Sequence, residues 1–238
     1  MLVSVPRKLV TVVGVLFVVG MQMPAMASLK ATIVDLKVTD VGSQQYRSRL
    51  IVTPGFIRFD DGKNEGDFLL YDRKKKTIYN TSTQDQTILV IRNQKVALPE
   101  KKDWTHNVDS DNQKVPSVGG KTVKHWVLLT NNLVCYDLYA ARDLLPDVTR
   151  ALAEYRRVLA TQQAEIYVNT RDRRRDVCDL ANNIYLPDRF LKYGFPIRYR
   201  DKDGRGEELI DYKESVTVRP GLFKLPAGYK EYSISDMR

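Results

Sequence analysis

The stretch Phe56-Ile57-Arg58-Phe59-Asp60-Asp61-Gly62-Lys63-Asn64-Glu65-Gly66-Asp67-Phe68-Leu69-Leu70-Tyr71-Asp72 decides the fold. Two short runs rich in aromatic and branched residues flank a polar segment with two glycines, which reads as two antiparallel strands joined by a turn. The same pattern extends outward. Segments at Leu29 to Val41 and Tyr46 to Val52 precede the quoted stretch, and segments at Thr77 to Asn80 and Gln86 to Ile91 follow it. Alternation with polar breaks is the mark of an antiparallel meander.

Val96 to Gly120 lacks periodicity and reads as a long surface loop or flap. Val123 to Leu129 and Leu133 to Tyr139, around the turn Thr130-Asn131-Asn132, read as a hairpin. The period then changes. Val148, Leu152, Tyr155, Leu159, Gln162 and Ile166 recur at steps of three and four, so Pro146 to Tyr167 is expected to be a helix with proline in its first turn. A shorter helix is expected from Arg173 to Tyr185, ending before Pro187. Strands at Pro196 to Arg200, Glu208 to Tyr212, Ser215 to Val218 and Tyr229 to Ile234 close the chain. The expected class is α+β: a curved antiparallel β-sheet, of half-barrel form, with two helices packed on one face. Residues 28–238 are expected to form one domain, with a helical insertion near 143–186.

The first 27 residues read differently. Arg7 and Lys8 precede an apolar run from Leu9 to Gly20, and Ala25-Met26-Ala27 has the small-x-small form of a signal-peptidase site. Cleavage between Ala27 and Ser28 is expected, giving a periplasmic or secreted protein, soluble after cleavage. Ser28 stands where a lipoprotein would need cysteine. Of 38 basic and 29 acidic residues, only Arg7 and Lys8 lie in this segment, so the net charge falls from +9 to +7 on cleavage. Outside the cytoplasm a basic protein meets phospholipid head groups, cell-wall polymers or acidic proteins rather than nucleic acid. Cys135 and Cys178 form an even pair, expected to be one disulfide tying the second helix to the hairpin.

Several motifs carry a resemblance. Pro54-Gly55-Phe56-Ile57-Arg58-Phe59-Asp60, Phe68-Leu69-Leu70-Tyr71-Asp72, Ile78-Tyr79 and Phe223-Lys224-Leu225-Pro226-Ala227-Gly228-Tyr229 are similar to strand ends and a closing turn of the lipoprotein-carrier-like (Lol-type) half-barrel proteins and related exported envelope proteins. The likeness covers about half of the chain after Ala27. It implies a concave apolar face that holds an acyl chain, and Phe56, Phe68, Leu70, Ile78, Leu89, Trp126 and Leu128 are the candidate lipid-cavity residues.

Basic clusters at Arg73, Lys74, Lys75 and Lys76, at Arg171, Arg173, Arg174 and Arg175, and from Arg198 to Arg205 are candidate contacts for an anion or a membrane surface. Asp201 to Glu208 has a loose likeness to a calcium loop, but Lys202 and Arg205 intrude and a β-turn is the expected form. His106 and His125 lack zinc-ligand spacing, and there is no Gly-x-Ser-x-Gly elbow. Neither catalytic residues, metal nor cofactor are expected. The expected function is non-enzymatic: binding of a lipid, an acyl chain or a lipidated envelope component. The alternatives are a module that docks an envelope protein through the helix face or the 96–120 flap, and an enzyme acting on cell-wall or lipid material.

Overall fold

A computed structural model describes residues 28–99, 104–111, 113, 115–170 and 176–237. The expected signal segment and the cluster Arg171, Arg173, Arg174 and Arg175 therefore lie outside the described residues. The protein is an α+β fold built on an open, curved sheet of twelve strands. In chain order these are β1 (Leu29–Thr39), β2 (Tyr46–Val52), β3 (Phe56–Asp60), β4 (Leu69–Asp72), β5 (Thr77–Ser82), β6 (Thr87–Arg92), β7 (His106–Asp111), β8 (Val123–Thr130), β9 (Leu133–Ala141), β10 (Phe195–Asp201), β11 (Gly206–Val218) and β12 (Lys230–Tyr232). The spatial order is β12-β6-β5-β4-β3-β2-β1-β11-β10-β9-β8-β7. Every pairing is antiparallel except that of β12 on β6, which is parallel.

The meander forms where alternation predicts it, with three differences. The 96–120 segment is not wholly loop: β7 lies within it and pairs with β8 as an edge strand. Its composition, with Asp109, Ser110 and Asp111, hides it, because an edge strand exposed on both faces has no apolar side to reveal a period of two. The two expected strands at Glu208 to Tyr212 and Ser215 to Val218 are one, β11. A bulge at Ser215, whose φ is +58°, shifts the register against β1 and lets the strand continue. The last expected strand shortens to the three residues of β12.

Helix α1 (Pro146–Asn169) and the helical segment that begins with α2 (Val177–Leu180) and continues as a π-helix over Ala181–Tyr185 connect β9 to β10. Pro146 opens α1; of the stripe read from its sequence, Val148 is buried and Leu152, Tyr155 and Leu159 are partly buried against the cluster of Val34, Leu50, Ile57, Tyr71 and Ile78, while Ala151 and Val158, which lie outside that stripe, are buried beside them. Tyr155 wedges between Phe59 (ring centroids 4.9 Å apart) and Tyr71 (6.0 Å). Cys135 on β9 and Cys178 on α2 are disulfide-bonded and buried, fixing the second helical segment to the sheet as expected.

The sheet is buried on both sides through β1 to β5. Residues of one parity (Val34, Leu36, Leu50, Ile57, Tyr71, Ile78) face α1, and those of the other (Ala31, Ile51, Phe68, Leu70) face away from it. The second side is covered by the chain end. The turn Pro220–Phe223 lays Leu222, Phe223 and Leu225 over it, and Phe223 stacks on Phe56 at 5.4 Å.

Arg58 anchors this cover. Its side chain is 2 % exposed; Nη1 donates to the Leu222 carbonyl (2.8 Å), Nε to Asp60 Oδ2 (2.7 Å), and the guanidinium lies 3.8 Å from the Phe68 ring centroid. Asp60 also accepts two bonds from Arg49 at 2.8 and 2.9 Å. Removing one partner of a buried pair strands the other charge at a cost of about 3–5 kcal/mol. Asp60→Asn is therefore expected to lose roughly that much stability in urea titrations, whereas Asp61→Asn at the exposed neighbouring position leaves the unfolding midpoint in place.

The disulfide spans 43 residues of sequence, so on the chain-entropy account the double variant Cys135→Ala/Cys178→Ala should lose about 4 kcal/mol. Denaturant unfolding of the oxidised protein against the variant measures it.

Candidate functional site

The seven residues expected to wall one lipid cavity do not share one wall. Ile78 and Leu89 pack on the α1 side. Trp126 and Leu128 also lie on a helix-facing surface, in a neighbouring cluster with Tyr136, Leu138, Phe190 and Leu191 that Leu152 of α1 joins to the first. Phe56, Phe68 and Leu70 face the opposite side, under Phe223. The single inner face expected from sequence is thus corrected: strands buried on both faces carry apolar residues at both parities, so hydrophobicity alone does not say which parity faces in.

The expected basic cluster does join a depression. Arg73, Lys74 and Lys76 belong to the turn between β4 and β5 and its flanks, beside the N-terminal half of α1. Two contiguous hollows of about 370 and 580 Å³ run there, sharing Pro54 and Arg73. Lys30 and Arg150 line the first, and Lys74, Lys76 and Arg157 the second; Asp147 and Glu154 are the acidic residues of the lining. Lys75 is exposed on the same turn but is not part of the lining. Arg73 is held rigidly, donating Nε and Nη2 to Glu154 at 2.8 and 2.9 Å and Nη1 to the Thr53 carbonyl at 3.1 Å. That bidentate pair holds the Arg73 guanidinium above its ordinary value. Lys74 and Lys76 remain solvent-exposed. Leu145 caps α1 without a side-chain hydrogen bond, so the positive end of a 24-residue helix opens beside the first hollow.

A second cleft, of about 480 Å³, lies between α1 and the segment of α2 and its π-helical continuation. Arg156, Leu159, Ala160 and Gln163 form one wall, Asp179, Asn183 and Pro187 the other, and Arg205 of the β10–β11 turn reaches its edge. Behind Arg156 is a polar cluster absent from the sequence reading. Arg156 donates Nε to the Pro187 carbonyl (2.6 Å) and Nη2 to the Tyr136 hydroxyl (3.3 Å), and its guanidinium covers the Phe190 ring at 4.8 Å. Tyr136 and Tyr199 meet edge-on at 5.8 Å, and Tyr199 is hydrogen-bonded to Glu207. Burial pushes both tyrosines above their ordinary value, Tyr199 furthest, and raises the Glu207 carboxyl despite the attraction of Arg156. Gly206 permits this closeness, since a Cβ there would run into the Tyr199 carbonyl. The signal for Arg156 is present in the sequence: a basic residue four after Leu152 and three before Leu159 falls inside the apolar stripe of the helix.

The remaining sites resolve simply. Asp201 to Glu208 is a turn in which Asp201 Oδ1 accepts from the Asp203 and Arg205 amides at 2.9 Å each, and Arg205 occupies the space among the carboxylates (Nε to Asp201, 2.8 Å; Nη2 to Asp203, 2.8 Å). His125 Nδ1 is 2.7 Å from Asp111 on β7, and His106 Nδ1 is 3.1 Å from the Thr130 hydroxyl. Among the described residues no group of three or more His, Cys, Asp or Glu side chains gathers to hold a metal. No described helix is long and apolar enough to cross a membrane.

No protein-family model and no curated protein matches the chain. Among solved structures it is similar to an uncharacterized conserved protein from Thermus thermophilus, at 9% identity and a TM-score of 0.42, covering 86% of this chain and 90% of that one. It is also similar to PNGF-II, at 10% identity and a TM-score of 0.39, covering 87% of this chain but only 32% of that one.

Glu207 allows a pH test. A carboxyl raised in the folded state binds its proton more tightly than in the unfolded chain, so its contribution to stability is fully present below the ordinary glutamate value and is lost as pH rises through the raised one. Glu207→Gln should therefore melt at a higher temperature than the parent protein at pH 7, and the difference should shrink towards pH 4, measured by thermal scans across that range.

Proposed function

We propose that this is an exported, non-enzymatic envelope protein that engages an anionic lipid surface through the basic trough beside α1. The observation that supports the reading is the trough itself: Lys30, Arg73, Lys74, Lys76, Arg150 and Arg157 line two joined hollows with Asp147 and Glu154 as their acidic residues, next to the uncapped positive end of α1. Phosphate-bearing head groups suit such a surface, because the exposed lysines supply long-range attraction while Arg73, tied to Glu154 and to the Thr53 carbonyl, fixes the wall from which they project. The disulfide agrees with an oxidising compartment, and the signal-like segment ending at Ala27 agrees with export to the periplasm or beyond. The lipid-binding expectation is kept in this form, with the head group rather than an enclosed acyl chain as the element recognised.

Co-sedimentation with vesicles tests it. Vesicles of phosphatidylglycerol and phosphatidylcholine should retain the protein and pure phosphatidylcholine should not, with binding falling as salt is raised. Each lysine near an anionic surface contributes about 1 kcal/mol, so reversing two charges in Lys74→Glu/Lys76→Glu should weaken retention at least about tenfold. Equal binding to neutral vesicles, or a variant that binds as the parent does, overturns the reading.

A further inference from the structure

Strand register sorts the connections of the sheet into two ends. Thr32 pairs with Val52, Phe56 with Asp72, Leu29 with Val218, and Ala141 with both Phe195 and Val123. Connections 53–55, 73–76, 119–121, 142–145 and 192–194, together with Arg219, therefore lie at one end of the strands. The trough lies there too, since Pro54, Gly55, Arg73, Lys74 and Lys76 of its lining belong to the first two of them. Connections 40–45, 61–68, 83–86 and 202–205 lie at the other end, where Val38 pairs with Tyr46, Phe59 with Leu69, Ser82 with Thr87 and Arg200 with Gly206.

The two ends differ in the charge left uncompensated. Beyond Lys74 and Lys76, the first end carries Lys121, Arg142, Lys192 and Arg219, all exposed and none with an ion-pair partner among the described residues. Asp143 is the only acidic residue in those connections, and the carboxylates close by are taken up, Asp147 by Arg150, Glu154 by Arg73 and Asp188 by Arg157. A third hollow of about 370 Å³, lined by Arg142, Lys192, Arg150 and Arg157, continues the trough towards these residues. The other end is the reverse. Its basic residues Lys63, Lys202 and Arg205 are paired to Asp61 and Asp203, while Asp40, Glu65, Asp67 and Asp85 have no basic partner among the described residues.

Distance decides how such a molecule sits on a charged plane. The eleven residues of β1 span about 35 Å at ~3.3 Å each. Charges are screened over ~8 Å at physiological salt. Standing on its basic end, the protein keeps its unpaired carboxylates several screening lengths from the surface. Lying on a face of the sheet would bring both ends within reach and set repulsion against attraction.

We propose that the protein stands end-on upon an anionic lipid surface, strands upright, with Lys121, Arg142, Lys192 and Arg219 meeting head groups alongside the trough and the acidic end turned away. This rests on the trough reading and extends it: the partner is a plane of phosphate head groups rather than one lipid held in a hollow.

Co-sedimentation of the protein with vesicles of phosphatidylglycerol and phosphatidylcholine tests the pose through matched charge reversals. Lys121→Glu/Lys192→Glu, outside the two hollows of the trough, should weaken retention at least about tenfold. Arg142→Glu/Arg219→Glu, on neighbouring connections, should do the same, and either pair serves alone if the other does not fold. Lys63→Glu/Lys202→Glu changes the net charge equally at the far end and should bind as the parent does. If Lys74→Glu/Lys76→Glu loses retention while the Lys121/Lys192 and Arg142/Arg219 pairs bind as the parent does, the trough stands and the upright pose falls. Equal loss from the far-end pair overturns the pose as well, because net charge alone is then at work. A parent protein that ignores these vesicles overturns the trough reading and the pose with it.

Discussion

The carboxylate of Asp60, shared between Arg49 and Arg58, is the constraint on which the two-sided sheet depends. A sheet that is apolar on both faces needs a cover on each, and α1 supplies only one. The other cover is a short, late segment, Pro220 to Leu225, with too little apolar surface to bind firmly unaided. Arg58 secures it by holding the Leu222 carbonyl, and a buried arginine is tolerable there only because Asp60 neutralises it and the Phe68 ring faces it. Arg49 then fixes Asp60 from the neighbouring strand. Loss of this triad exposes Phe56, Phe68 and Leu70, and with them the rigidity of the strands that carry Arg73 into its trough.

Much of this was legible in the sequence, for stated reasons. Alternation located the meander, the change of period located α1, and the cysteine pair located the staple between helix and sheet. What stayed hidden was mostly a question of which side a residue faces. Phe68 and Ile78 look alike in one dimension, yet they lie on opposite sides of the sheet, because parity is set by pairing register and not by hydrophobicity. β7 was hidden because a polar edge strand has no periodic signal, and β11 looked like two strands because Ser215 bulges.

The candidate sites divide in the same way. The Arg73 to Lys76 run declared itself as a local cluster, and the structure adds to it Lys30, Arg150 and Arg157 from distant segments. Arg156 announced itself only as a charge misplaced within an apolar stripe. Its meaning required Tyr136 from β9, Tyr199 from β10 and Glu207 from β11, none of which a single sequence connects to it. Helix α1 thus separates two basic settings: exposed lysines beside one flank, and on the other an arginine held by a carbonyl, a phenol and an aromatic ring.

The order of strands carries a consequence for assembly. β1 lies at the middle of the sheet, and its partner β11 is nearly the last strand made: Leu29 sits opposite Val218. The β2 to β6 meander and the β8–β9 hairpin can form from near neighbours, but the seam that joins them closes only after almost the whole chain is present. Contacts this distant slow folding, since the loop entropy is lost before the contacts repay it. The first half of the protein therefore waits as a meander with both edges unpaired, β1 until β11 arrives and β6 until β12 does.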